Sequence, residues 1–239
     1  MNTTLEVSKC PGCGKAIERE IPTGLPGWMR EFATGMAIWH DACLDSQDTG
    51  RLEAERREDC RRNTAMSGVP KDLLTRGETA VLPDGLSDLM AAWASGEEKH
   101  VVLTGEFGVG KTTAAAVAAV RRLELGRNLW WRTAPYLLSQ LGSGLGTQGR
   151  EQALGVLSGG RALVLDDLDK VRPTDYGAEQ VFIAIDRRLT EGVPLLITSN
   201  LTPAEMADRW PEPYGPAIAS RLGGECRVVQ MQGDDRRFQ

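Results

Sequence analysis

The densest chemistry in this 239-residue chain lies in GEFGVGKTT, from Gly105 to Thr113. The apolar run Val101 to Leu103 ahead of it reads as a buried strand, and the alanine-rich run behind it reads as a helix. In that setting Gly105, Gly108 and Gly110 let the backbone curl until successive amides and the positive helix start face a chain of phosphates. Lys111 then reaches the outer phosphates of a nucleoside triphosphate, Thr112 offers an oxygen to Mg2+, and Thr113 completes the set. The pattern is a P-loop in the strand-to-helix context it requires.

A second apolar run, in RALVLDDLDK, ends on two carboxylates, the first of them 55 residues after Lys111. Asp166 is expected to hold the Mg2+ shell. Asp167, one position on, is expected to point to the other side of the strand end and polarise the attacking water as general base. Asp169 is expected to face solvent. A third run, VPLLITSN, ends on Thr198, Ser199 and Asn200, on a strand expected between the other two. Asn200 there can hold the water or sense the γ-phosphate, although a polar strand end leading into a helix cap, with Pro203 in the first turn, would read the same way. Arg221, in AIASRLGGE, reads as having no acid close in sequence to pair with. It is either an arginine finger aimed at a neighbouring subunit's nucleotide or an ordinary surface arginine.

The N-terminal segment carries different chemistry. Cys10 and Cys13 are followed after 26 residues by His40 and Cys43, making two pairs with two residues inside each. Three thiolates and an imidazole at this spacing suit a closed, structural tetrahedral Zn2+ site. Cys60 is the rival fourth ligand, and Cys226 reads as a small buried residue. Some 45 residues without an apolar core need such a metal to fold, with Trp28, Ile38 and Trp39 packed on it or exposed for docking.

These sites need elements to position them. From about Ser67 onward, apolar strands alternate with Ala- and Leu-rich helical stretches, which gives an α/β class with a parallel sheet covered on both faces. The expected organisation is a zinc-binding module over residues 1–48, a charged linker helix over 49–66 and a P-loop nucleotide-binding domain over 67–239. Within the linker, RLEAERREDCRR holds nine charged residues in twelve, of mixed sign at helical spacing. No run approaches the roughly 18 apolar residues of a membrane span. The first residues lack the layout of a secretion signal, so a cytoplasmic location without membrane partners is expected. Five cysteines, an odd number, fit a reducing compartment. A net charge of −5 supplies no global field for nucleic acid, so any DNA contact needs a local basic patch.

Taken in order, GEFGVGKTT, LVLDDL, ITSN, SRL and the closing MQGDDRR resemble the AAA+ ATPases of the DnaC/IstB group, over residues 67–239. The resemblance implies a three-layer P-loop AAA+ (ASCE) sheet in the order 5-1-4-3-2 and ATP with Mg2+ bound between subunits of a homo-oligomer. It implies Gly110, Lys111 and Thr112 in the P-loop, Asp166 and Asp167 in the acidic box, Asn200 as first sensor and Arg221 as finger. The 18 residues after Arg221 leave no room for a helical lid domain, an expectation that suits this branch. Two positions depart from the group: Asp169 stands where glycine is usual after DDL, and Arg236 replaces an aromatic before Arg237.

A zinc module ahead of an AAA+ ATPase domain over 67–239 resembles DnaI-type loaders, which implies that residues 1–48 are the partner-docking module and that the partner is a DnaB-like replicative DNA helicase. Arg121, Arg122 and Arg127 with Trp130 and Trp131 are the candidates for single-stranded DNA contact, although alternation along a strand turns one tryptophan into the core. Arg187 and Arg188 are candidates for a further subunit contact. The sequence therefore reads as an ATP-dependent helicase loader. The alternatives are an IstB-like transposition helper and a zinc-containing adaptor that binds ATP only for stability.

Overall fold

The computed structural model describes residues 3–10, 15–24, 41–141, 146–172 and 174–233. The chain divides into two units, residues 1–58 and 59–239. In the first, strands β1 (Thr3–Lys9) and β2 (Ala16–Pro22) pair antiparallel, with Thr3 opposite Pro22 and Lys9 opposite Ala16. Cys10 follows β1, is buried, and donates its backbone N–H to Lys15 O at 2.9 Å. Helix α1 (Asp41–Ser67) contains the point of division.

The second unit is built on helices α2 (Lys71–Thr79) and α3 (Asp84–Ser95), strand β3 (His100–Thr104), helix α4 (Lys111–Glu124), strand β4 (Leu129–Thr133), and helices α5 (Ala134–Leu141) and α6 (Gly146–Ser158). Strand β5 (Ala162–Asp166), a 3-10 turn (Leu168–Lys170), helix α7 (Asp175–Glu191), strand β6 (Leu195–Thr198), helices α8 (Pro203–Arg209) and α9 (Tyr214–Glu225), and strand β7 (Arg227–Gln230) follow. The five strands β3 to β7 form one parallel sheet in the order β4-β5-β6-β3-β7. Counted from the P-loop strand, this is the expected order 5-1-4-3-2, with β6 between β3 and β5.

Parallel strands need helical crossovers, so both faces of this sheet are covered and its central strands read as unbroken apolar runs. Side chains alternate between two cores. Val101, Leu103, Val164 and Leu196 pack with Trp93 of α3 and the alanines of α4, while Val102, Leu163, Leu165 and Ile197 pack with Leu137, Ile185 and Leu222 on the other face. Small residues bring α4 close to its neighbours. Ala114, Ala115, Ala116, Ala118 and Ala119 are all fully buried, and a Cβ on Gly77 of α2 would lie 2.6 Å from Ala116 O. This packing holds the helix that begins at Lys111.

Several arginines are structural. Arg188, 1% exposed, donates to Val156 O and to Arg161 O. It is therefore not available for a subunit contact, because burying its charge requires those carbonyls. Arg187 pairs with Glu191 at 2.9 Å. Arg122 lies over the Trp93 ring and donates to Ala94 O, and Arg121 donates to Ser87 O and Oγ. These two are committed inside the fold rather than to a nucleic-acid strand. Trp131 packs in one core and half-buried Trp130 against the other, with the guanidinium groups of Arg132 and Arg161 near the Trp130 ring.

Cys13, Trp28, Ile38, Trp39, His40, Arg236 and Arg237 lie outside the described residues. Cys60 is half-buried, and Cys226 is half-buried with its thiol pushed up to about 12, chiefly by burial. Among the described residues, no three His, Cys, Asp or Glu side chains group closely enough to hold a metal, and no helix is long and apolar enough to cross a membrane.

Candidate functional site

The carboxyl ends of β3, β5 and β6 bring the three sequence motifs to one edge of the sheet. Neighbouring parallel strands end at the same level, and ligands of such sheets bind in the crevice beyond those ends. The loop from Gly105 to Gly110 turns the chain from β3 into α4 with positive φ at all three glycines: 135° at Gly105, 78° at Gly108 and 98° at Gly110. At Gly105 there is also no space for a side chain, since a Cβ would come within 2.2 Å of Met231 O. Gly110 immediately precedes α4, so the helix start and the loop amides border the same cleft.

Within that cleft of about 280 Å³ stand Phe107, Lys111, Thr112, Asp166, Asp167 and Asn200, together with Gly108, Gly110, Thr113, Arg76 and Lys170. Lys111 donates to Gly105 O at 2.7 Å, Glu106 O at 2.6 Å and Asn200 Oδ1 at 2.8 Å. Burial pushes its pKa below the ordinary lysine value, and the carboxylates of Asp169, Asp167 and Asp166 oppose that shift.

Asp166 closes β5 and is 5% exposed. Its Oδ1 accepts from Thr198 Oγ1 at 2.5 Å and Thr112 Oγ1 at 3.1 Å, which links β5 to β6 and to the start of α4. Desolvation raises its pKa above the usual carboxylate range, and the two hydroxyl bonds only partly reverse this. A hydroxyl and an under-neutralised carboxylate side by side are hard oxygen donors of the kind Mg2+ takes alongside water and phosphate. Thr112 and Asp166 fit that ion.

Asp167 departs from its expected direction. Strand alternation would carry it to the other side of the strand end, but its φ of 59° and ψ of 49° place it in the left-handed region. The turn keeps both acids on one cleft. Its N–H donates to Thr198 Oγ1 at 2.9 Å, and its Oδ2 accepts from Lys170 at 2.5 Å.

Two other expectations need correction. Asp169 does not face solvent; it is 6% exposed and accepts from both the backbone N–H and the side-chain amide of Asn200. Two charge-assisted hydrogen bonds offset the cost of its burial. Arg221 does have acids beside it: it pairs with Glu225, four residues on, and with Asp186 of α7 at 2.6 Å. It is not among the residues lining the cleft in its own chain.

Next to the phosphate cleft lies a second of about 550 Å³, with Arg76, Gly108, Gly110 and Thr113 common to both. Val81, Leu82, Pro83 and Leu86 form one wall, and Val229 and Met231 another. An apolar lining beside a phosphate loop suits the base of a nucleotide. Sequence reasoning missed this second cleft, whose linear signal is the apolar AVLP, residues 80–83, between α2 and α3.

The raised Asp166 pKa has a definite sign in stability. A carboxyl that binds its proton more tightly when folded makes the ligand-free protein less stable as pH rises from the ordinary Asp pKa through the raised folded one, and the penalty persists at neutral pH. Asp166→Asn keeps an acceptor for both threonines and removes the charge. At pH 7 without nucleotide its melting temperature is therefore expected to equal or exceed that of the wild type, while Mg2+-dependent nucleotide affinity falls about tenfold or more. A variant that melts markedly earlier, or keeps its Mg2+ dependence, would contradict this assignment.

The profile of IstB-like ATP-binding proteins matches residues 83–239. An ATP-binding protein of an insertion sequence in Mycobacterium tuberculosis is 28% identical over 154 residues, covering 64% of this chain and 61% of that protein. The replicative helicase loader DnaI of Bacillus subtilis is 27% identical over 152 residues, covering 60% of this chain and 49% of that protein. The chain thus spans about half to three-fifths of the length of these relatives. A crystal structure of DnaI superimposes with a TM-score of 0.58 at 21% identity, over 71% of this chain and 95% of that one, a likeness of fold. With the P-loop, the acidic strand end and Asn200 gathered on an AAA+ sheet, the chain belongs to the family of IstB-like ATP-binding proteins.

Proposed function

We propose that this protein is an ATPase that loads a replicative DNA helicase of the DnaB kind, with ATP bound where neighbouring copies meet. The observation that carries the ATPase reading is the convergence of Lys111, Thr112, Asp166, Asp167 and Asn200 on one cleft. Lys111 and the loop amides hold the outer phosphates. Thr112 and Asp166 would hold Mg2+, which when bound supplies positive charge to the phosphate oxygens. Asp167 takes the water's proton once Lys170 leaves it, and Asn200 orients that water. Arg221, exchanging its own Asp186 and Glu225 for a neighbour's phosphates, completes the site in trans. Arg221→Ala should keep nucleotide affinity and lower turnover on the order of a hundredfold or more. Unchanged turnover would remove it from the mechanism.

Loading is supported by the similarity to DnaI in both sequence and fold. The similarity to the insertion-sequence protein supports the second reading, a transposition helper. Full-length protein and Lys111→Ala, each passed over a sizing column with a DnaB-type helicase or with a transposase, separate the two. Co-elution with the helicase in ATP, abolished by Lys111→Ala, is expected; co-elution with the transposase alone, or with neither, would overturn loading. Single-stranded DNA contact belongs to the same proposal, on the side of β4 bearing the Arg132, Trp130 and Arg161 stack.

Zinc held by Cys10, Cys13, His40 and Cys43 is also proposed, supported by the buried position of Cys10 at the end of β1. One zinc per chain is expected in metal analysis of the purified protein, lost with Cys10→Ser. A metal-free wild type would reject the site.

A further inference from the structure

We propose that Asp169 is a positioning residue that locks the Asn200 amide so its oxygen faces the phosphate cleft, an inference resting on the ATPase reading for its kinetic consequence. Asp169 lies on the 3-10 turn after β5, 31 residues away from Asn200 in sequence. Its Oδ1 accepts from the Asn200 backbone N–H at 2.9 Å and its Oδ2 from Asn200 Nδ2 at 2.6 Å. One carboxylate thereby holds both ends of the residue. On the opposite side of the amide, Lys111 Nζ donates to Asn200 Oδ1 at 2.8 Å.

The chemistry of the two flanking groups leaves a single arrangement. A carboxylate accepts only, and an ammonium donates only. Turned by half a revolution, the Asn200 amide would set its oxygen against Asp169 and its N–H groups against Lys111, losing both bonds at once. The buried acid therefore selects which atom Asn200 shows to the cleft. In the structure that atom accepts from Lys111 Nζ. When phosphate draws the lysine away, the same oxygen is left facing the cleft, aimed to accept a hydrogen bond from a water beside the phosphate. An amide free to rotate would spend part of its time donating to phosphate and leave the water unheld.

Asp169→Asn is nearly isosteric but offers one acceptor and one donor where two acceptors stood, so it frees the amide without emptying the site. Two readings test the proposal. In 15N spectra of the ligand-free protein, the Asn200 side-chain signal, assigned by its loss in Asn200→Ala, is expected to show protected amide protons. Their exchange should become about tenfold or more faster in Asp169→Asn. In steady-state assays, Asp169→Asn and Asp169→Ala are expected to lower kcat on the order of tenfold to a hundredfold. Mg-ADP affinity should stay within about threefold, because Asp169 bonds to Asn200 and not to Lys111 or the loop amides. An unchanged Asn200 signal, an unchanged kcat, or a loss confined to KM and ADP affinity would overturn the role of Asp169. A wild type that fails to hydrolyse ATP would instead defeat the ATPase reading, and the amide exchange would then decide the clamp by itself.

Discussion

A carboxyl group buried inside the protein is the constraint on which the site depends. Asp166 is buried at the end of β5, and the groups that make its burial tolerable are the hydroxyls of Thr198 and Thr112. Those two hydroxyls belong to the neighbouring strand and to the first turn of the P-loop helix. Satisfying one charge therefore fixes the relative positions of β5, β6 and α4. The bonds leave Asp166 less than fully compensated, with its pKa raised, and a metal ion bound with a nucleotide would answer that residual demand for positive charge.

The second acid and the sensor are arranged by departures from regular structure. A non-glycine residue with positive φ costs on the order of 1 kcal/mol or more, and Asp167 adopts this conformation where the strand meets the cleft. Thr198 serves both acids, donating to one side chain and accepting from the backbone of the other. Lys111, Asn200 and Asp169 form a second chain of hydrogen bonds alongside the first. Lys111 is held by two carbonyls and Asn200, and Asp167 by Lys170, so phosphate binding would trade internal partners for the nucleotide.

Much of this was legible in the linear text because it is local. A glycine-spaced loop between an apolar strand and an alanine-rich helix leaves little freedom, and two carboxylates ending a buried run point to the sheet edge. The strand order followed from resemblance rather than spacing. What failed to show was set by distant partners. Asp169 looked like a solvated charge because nothing in LDDLDK reveals that Asn200 lies beside it. The ion pair of Arg221 with Asp186 crosses from α9 to α7, although Glu225, at helical spacing, was in plain view. The direction of Asp167 depended on one backbone dihedral, and the second cleft on two segments, near Leu82 and Met231, that are far apart in sequence. The paired cysteines and histidine belong to the other unit, and of the four only Cys10 has a described side chain.

Calorimetric titration of the purified protein with ATP, with and without Mg2+, tests the central claim most directly. The account predicts one site per chain whose affinity rises at least about tenfold when Mg2+ is present and disappears in Lys111→Ala. Nucleotide affinity that ignores Mg2+, or that survives loss of the lysine, would contradict it.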